Sequence, residues 1–218
     1  MKISVSLILG CALLSGCGTT NNMLTAKTKT VEYYRIFDIK TTAQLPDIIS
    51  AASNGLGRNV NNADEATPIP DSNEIPDKPG RFKLVNPLAG SNLSAFAGGA
   101  GSIGIKVATC DGARWTAKAN RNTGGAGNLQ LSACLYAYKG GYHLDLYAVF
   151  SKEEGGLTQV ARSATYSLVG TPEQWTEKTF LDVVRMIKAK TKSDITLLEA
   201  LPAISGTPWL DPLDAPKG

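Results

Sequence analysis

Apolar and polar positions repeat with a period that changes along the chain. Over 31–39, Val31, Tyr33, Arg35, Phe37 and Ile39 share one phase, and Glu32, Tyr34, Ile36 and Asp38 share the other. That alternation predicts a strand with neither face cleanly polar. From Leu45 the period lengthens, and Leu45, Ile49, Ala52 and Leu56 fall on one helical face. Pro46 suits the first helical position, Asp47 suits the positive end of the helix dipole, and Asn54-Gly55 predicts the stop.

The centre of the chain predicts two hairpins. Ile103, Ile105 and Val107 alternate with Gly104, Lys106 and Ala108, while Trp115, Ala117 and Ala119 alternate with Arg114, Thr116 and Lys118. A three-residue loop through Asp111 and Gly112 sets Val107 opposite Trp115 and Ile105 opposite Ala117, which gathers the apolar residues on one face. In the second hairpin Gly140-Gly141 is the turn. It pairs Ala137 with Leu144, Leu135 with Leu146, Ala133 with Ala148 and Leu131 with Phe150. The opposite face then pairs Tyr138 with His143, Tyr136 with Asp145 and Cys134 with Tyr147.

A further strand is expected over 157–169. Thr171 and Gln174 form a capping box, with Pro172 at the first helical position. Phe180, Val183, Val184 and Ile187 make the apolar stripe of the helix that follows, over 172–190. Residues 193–201 read as a short helical piece halted by Pro202. These elements give an α+β fold: an antiparallel sheet of five to six strands with a C-terminal helix packed across it. The order resembles a helix-grip arrangement, of the kind found in lipoprotein subunits of the outer-membrane barrel-assembly machinery. The resemblance is topological and rests on no motif.

Two regions lack any period. Residues 57–102 hold Asp64, Glu65, Asp71, Glu74 and Asp77 among Pro68, Pro70, Pro76 and Pro79, and become Gly-rich later. Proline and acid together resist packing, and the stretch far exceeds an ordinary connection. It is expected to be disordered, or to wrap the domain edge or dock on a partner. The tail, 205–218, is Pro-rich, with Trp209 and Leu210 as candidate pins to the core.

The N-terminus changes the picture most. Met1-Lys2 is followed by an apolar run from Ile3 to Leu14 and then by Leu14-Ser15-Gly16-Cys17. The run is too short to span a bilayer and fits a secretory signal. With Cys17 as a structural cysteine, an ordinary signal cut nearby would use the same run. The four-residue motif instead resembles the lipobox of bacterial lipoproteins of the signal-peptidase-II class, a likeness covering about the first twenty residues. It implies a signal peptide over 1–16, diacylglycerol and palmitate-type acylation on Cys17, and a tether over 17–30. The α+β domain then spans 31–204. Gly18 resembles the outer-membrane sorting pattern, so the implied place is the cell envelope, on the outer membrane, at its periplasmic or surface face.

Composition agrees with export. Of four cysteines, Cys11 leaves with the signal and Cys17 takes lipid, so Cys110 and Cys134 remain. One even pair in an oxidising compartment predicts a disulfide, and both share the sheet face away from the apolar side. Two free buried thiols are the alternative. Redox catalysis is disfavoured because Cys-x-x-Cys is absent. A net charge of +3 over 218 residues argues against nucleic acid as a partner.

The usual chemistries fail one by one. Gly99-Ala100-Gly101-Ser102-Ile103-Gly104 matches G-x-G-x-x-G but precedes a strand rather than a helix. The chain has one histidine, His143, and no G-x-S-x-G. One histidine and two bridged cysteines cannot make a zinc site. No cofactor and no enzyme activity are expected. A contact face is expected from Lys106, Arg114 and Lys118 together with Tyr136, Tyr138 and Tyr147, suited to an envelope protein or anionic lipid head groups. The function implied is a membrane-anchored, non-enzymatic binding or scaffold module. A small apolar ligand or lipid held under the C-terminal helix is the alternative, and a hydrolase is the third reading.

Overall fold

The computed structural model describes residues 27–60, 62–70, 72, 74–86, 106–122, 128–154 and 171–208. The chain enters through β1 (Lys27–Lys40), a strand of 14 residues that is paired along both edges. Next come α1 (Leu45–Gly57), β2 (Asp64–Ala66), β3 (Lys83–Val85), β4 (Val107–Thr109) and β5 (Trp115–Asn122). The chain continues through β6 (Asn128–Tyr138), β7 (Gly141–Glu154), α2 (Pro172–Thr191) and β8 (Asp194–Leu201). Six strands form one antiparallel sheet in the order β2-β5-β6-β7-β1-β8, and β3 and β4 form a separate ribbon. The α+β class expected from the sequence is the class observed. Among the described residues no helix is long and apolar enough to cross a membrane.

One sheet face carries the main core. Phe37, Ile39, Trp115, Leu131, Leu135, Leu144, Leu146 and Phe150 point towards Ile48, Ala52 and Leu56 of α1 and Phe180, Val183, Val184 and Ile187 of α2. Strand alternation delivers one side of this layer and helical period the other. The Thr171–Gln174 capping box forms as expected. Thr176 and Thr179 are buried without penalty because their hydroxyls bond the carbonyls of Pro172 and Trp175, at 2.7 and 2.8 Å.

Two helices share this face rather than one. Their close approach explains Gly55, which the sequence marks as a helix stop. It lies inside α1, where an added Cβ would stand 2.5 Å from the Cα of Val183. The glycine serves a helix crossing, and α1 continues to Gly57.

Three further expectations are corrected. Val107 does not pair with Trp115. β4 pairs with β3, while β5 takes β6 on one edge and β2 on the other. The chain turns at Cys110–Ala113, with Gly112 at φ +78 as expected, but the Cys110–Cys134 link carries β4 over the sheet face instead of alongside β5. In the second hairpin the turn is Lys139-Gly140, so Leu135 faces Leu144 and Ala133 faces Leu146, a slip of two positions. A slip of two leaves every side chain on its expected face. The third strand sets the register: Gly141 (φ +134) begins β7 so close to β1 that a Cβ would lie 2.2 Å from the Ile39 carbonyl oxygen.

Residues 194–201 are a strand, not a helix. Lys192 adopts the left-handed conformation (φ 53) that ends α2. Ile195 and Leu197 then face inwards, alternating with Asp194 and Thr196, on the remaining edge of β1. The strand expected over 157–169, Ile103, Ile105, the glycines at 99–101, Trp209 and Leu210 lie outside the described residues.

The described parts of the aperiodic region pack on the sheet. β2 occupies the free edge of β5, and residues 74–86 cross the sheet's second face. There Ile36, Phe82, Ala108, Ala113, Cys134, Tyr136 and Tyr147 form a second core.

Candidate functional site

Strand alternation places Tyr34, Asp38, Cys134, Tyr136, Tyr138, His143, Asp145 and Tyr147 on this second face. Asp145 is 1% exposed, and its Oδ2 accepts the Phe82 backbone N–H at 2.9 Å. Its Oδ1 stands 3.6 Å from His143 Nδ1. The Tyr138 ring meets His143 edge-on, with centroids 6.2 Å apart, and its hydroxyl donates to Asp38 Oδ1 at 2.5 Å. Lys40 closes this chain with bonds to the Tyr138 hydroxyl and to Asp38. Burial, followed by the bond to Asp38, raises the Tyr138 phenol above its ordinary range. Tyr136 and Tyr147 are pushed up much further, mainly by burial.

The segment crossing this face is held at named points. Lys139 N–H donates to Pro76 O at 3.0 Å, and Arg81 pairs with Glu199 at 2.6 Å. Tyr34 also donates to Glu199, at 2.8 Å. Arg81 first, and then Tyr34, hold the Glu199 carboxyl below its usual range. Phe82 lies 5.6 Å from Tyr147 and 5.9 Å from Tyr34, ring to ring. Tyr136 OH, Tyr147 OH, His143 Nδ1 and Asp145 Oδ1 are buried without a hydrogen-bond partner among the described residues.

Cys110 and Cys134 sit with their sulfurs 2.00 Å apart and their Cα atoms 5.5 Å apart, the separation of a disulfide. Cys17 lies outside the described residues. The six residues expected to share a contact face do not form one open surface. Tyr136 and Tyr147 are buried in the second core beneath Phe82 and Ala108. Lys106 pairs with Glu32 at 2.9 Å, and Lys118 faces solvent opposite Asp64 of β2. Arg114 donates to the Ser72 carbonyl at 3.4 Å. Alternation assigned the tyrosines to the correct face, but it could not show that aperiodic chain covers that face.

Among the described residues no group of three or more His, Cys, Asp or Glu could hold a metal ion. His143 and Asp145 resemble part of a hydrolytic constellation, yet no serine or cysteine is hydrogen-bonded to His143 among the described residues.

A different feature lies beside α1, at the seam between the helical face and the aperiodic chain. A groove of about 530 Å³ runs between Leu45, Pro46, Ile49 and Ser50 of α1 and Thr67, Pro68 and Pro70, with Arg114 at its border. A second hollow of about 500 Å³, more polar, continues towards Arg58 and Asn62. The Ser53 hydroxyl, donating to Glu65 Oε1 at 2.8 Å, borders both. Glu65 Oε2 accepts the Trp115 indole N–H at 3.0 Å, so this carboxylate braces α1 and β5 together. Ile69, between the two prolines, is 93% exposed. The space beneath α2, where the alternative reading put an apolar ligand, is filled by Phe180, Val183, Val184 and Ile187. In the sequence Pro68 and Pro70 mark only a stretch that resists packing. Nothing in the sequence marked α1 as the groove's other wall.

Compared with known proteins, the chain matches no family model, no curated protein sequence and no solved structure.

Proposed function

We propose that the protein is an envelope lipoprotein, acylated at Cys17, whose exported domain is a non-enzymatic binding or scaffold module. The observation that carries this reading is Leu14-Ser15-Gly16-Cys17 at the end of a short apolar run. The other two cysteines expected to persist after export lie at disulfide distance, which suits an oxidising compartment. Gly18 favours the outer membrane.

The position of the groove supports a binding role. β1 begins about ten residues after Cys17, a reach of at most roughly 35 Å of extended chain. The strand then runs for 14 residues, roughly 45 Å, towards the sheet end where α1 begins. The groove therefore lies at the end of the sheet away from the start of β1, a position that would suit soluble partners or ligands of an anchored domain. This favours the apolar-ligand reading as the second one, with the binding place beside α1.

Metabolic labelling with a palmitate analogue tests the anchor. Wild-type protein is expected to carry label and to fractionate with membranes, and Cys17→Ser protein to lose both. Unlabelled wild-type protein would sink the proposal.

A further inference from the structure

We propose that the groove between α1 and Pro68–Pro70 binds one long acyl chain ending in a carboxylate, with the head group held by Arg114. The inference deepens the binding-module reading and rests on it for biological context only.

The walls decide what can lie there. Most of the lining is apolar, contributed by Leu45, Ile49, Pro68 and Pro70. A peptide strand in the groove would need partners for its own N–H and C=O groups. The α1 wall offers few, since its backbone is bonded within the helix, and the opposite wall has two prolines that lack an N–H altogether. An extended peptide would thus bury unpaired backbone, which is costly. An acyl chain has no such groups and loses nothing against proline rings and aliphatic side chains. The volume of about 530 Å³ suits a single chain of small-ligand size.

The charge at the border decides the head group. Arg114 spends one donor on the Ser72 carbonyl at 3.4 Å and forms no ion pair among the described residues. A guanidinium offers five donors in a planar fork matched to a carboxylate. Glu65, the one acid among the described lining residues, is engaged at both oxygens by Ser53 and Trp115. Among the described residues, the groove thus sets a cation without an ion-pair partner beside a carboxylate whose two oxygens are turned to Ser53 and Trp115, so a negative head group is best received at Arg114.

The test uses the chain from Gly18 to Gly218, which contains every described element and carries no lipid, with oleate as the probe in isothermal titration. Saturable one-site binding is expected. Saturated fatty acids shorter than the optimum should weaken about twofold per methylene, half the effect of full burial. Arg114→Gln should weaken oleate about tenfold and bring it level with oleyl alcohol. Ser50→Trp, an exposed position on the α1 wall, should abolish binding while leaving circular dichroism and melting unchanged. Absence of saturable binding overturns the inference, as does binding that neither substitution changes. Because this chain lacks Cys17, the result is independent of the palmitate-labelling experiment. An acylated protein that binds no oleate loses this inference and keeps its anchor.

Discussion

The two faces of the sheet are built from opposite materials. One is covered by α1 and α2, whose aliphatic stripes interlock with alternating strand residues into a core of about twenty side chains. The other is covered by aperiodic chain and the β3–β4 ribbon, over a smaller core in which Phe82, Tyr136 and Tyr147 join Ile36, Ala108, Ala113 and Cys134. The helical cover is held by area. The aperiodic cover is held by points: the Cys110–Cys134 link, the Phe82 N–H on Asp145 and the Arg81–Glu199 pair. Area-held layers are lost only with the whole fold, whereas point-held layers can open locally.

Substitutions on the two faces should differ in size and in character. Phe180→Ala is expected to cost about 3–5 kcal/mol by leaving a cavity between α2 and the sheet, seen as a large drop in the urea midpoint by circular dichroism. Loss of the disulfide in a Cys110→Ala/Cys134→Ala pair should cost about 3 kcal/mol, from the loop of 24 residues it closes. The two figures are close, but the second variant should also expose residues 76–86 to limited proteolysis under native conditions. If the disulfide variant melts in one step with no new cleavage, the faces are not independent.

Asp145→Ala sharpens the comparison further. It leaves the Phe82 N–H buried without an acceptor, for about 1–3 kcal/mol. The effect should fall on Phe82 itself, as faster amide exchange, with Val184 little changed.

Acid gives the smallest and most distributed effect. Burial alone would raise the Asp182 carboxyl, but Asn59 at 2.8 Å, Lys178 at 2.7 Å and the nearby Arg185 outweigh it and hold it low. On the second face Glu199 is held low by Arg81 and Tyr34. In both cases the folded pKa lies below the unfolded one. Their stabilisation is complete above the unfolded carboxylate range, about pH 4, and is lost as pH falls through the lower folded values. Urea midpoints should therefore be flat from neutrality to about pH 5 and fall below about pH 4. Asp182→Asn should flatten that fall more than Glu199→Gln, because Asp182 is the less exposed.

The same division governs what could be read from the sequence. On the helical face, the Thr171 capping box, the Phe180–Ile187 stripe and the alternation of Leu131, Ala133 and Leu135 each state their own structure, because local period and burial agree. Where two distant segments compete for one edge, local pattern is silent. β5 has apolar alternation that β4 could have matched, yet β2 took the edge through Glu65 and Trp115. Residues 194–201 carried a period-two signal in Ile195 and Leu197 that was too short to separate from a helical turn. The free edge of β1 decided it. Gly55 and Gly141 were legible as glycines but not as contacts, since the neighbours they admit, Val183 and Ile39, are far away in sequence. The groove was hidden for the same reason: one wall is periodic, the other is not, and only the fold brings them together.

Native-state hydrogen exchange, followed amide by amide in the oxidised and reduced protein, tests the division most directly. Val183, Val184 and Ile187 should exchange only through global unfolding, at the full stability of the protein. Phe82 should exchange through a smaller opening, and reduction should widen the gap between the two groups. Equal opening free energies for Phe82 and Val184, in both oxidised and reduced protein, would contradict that division.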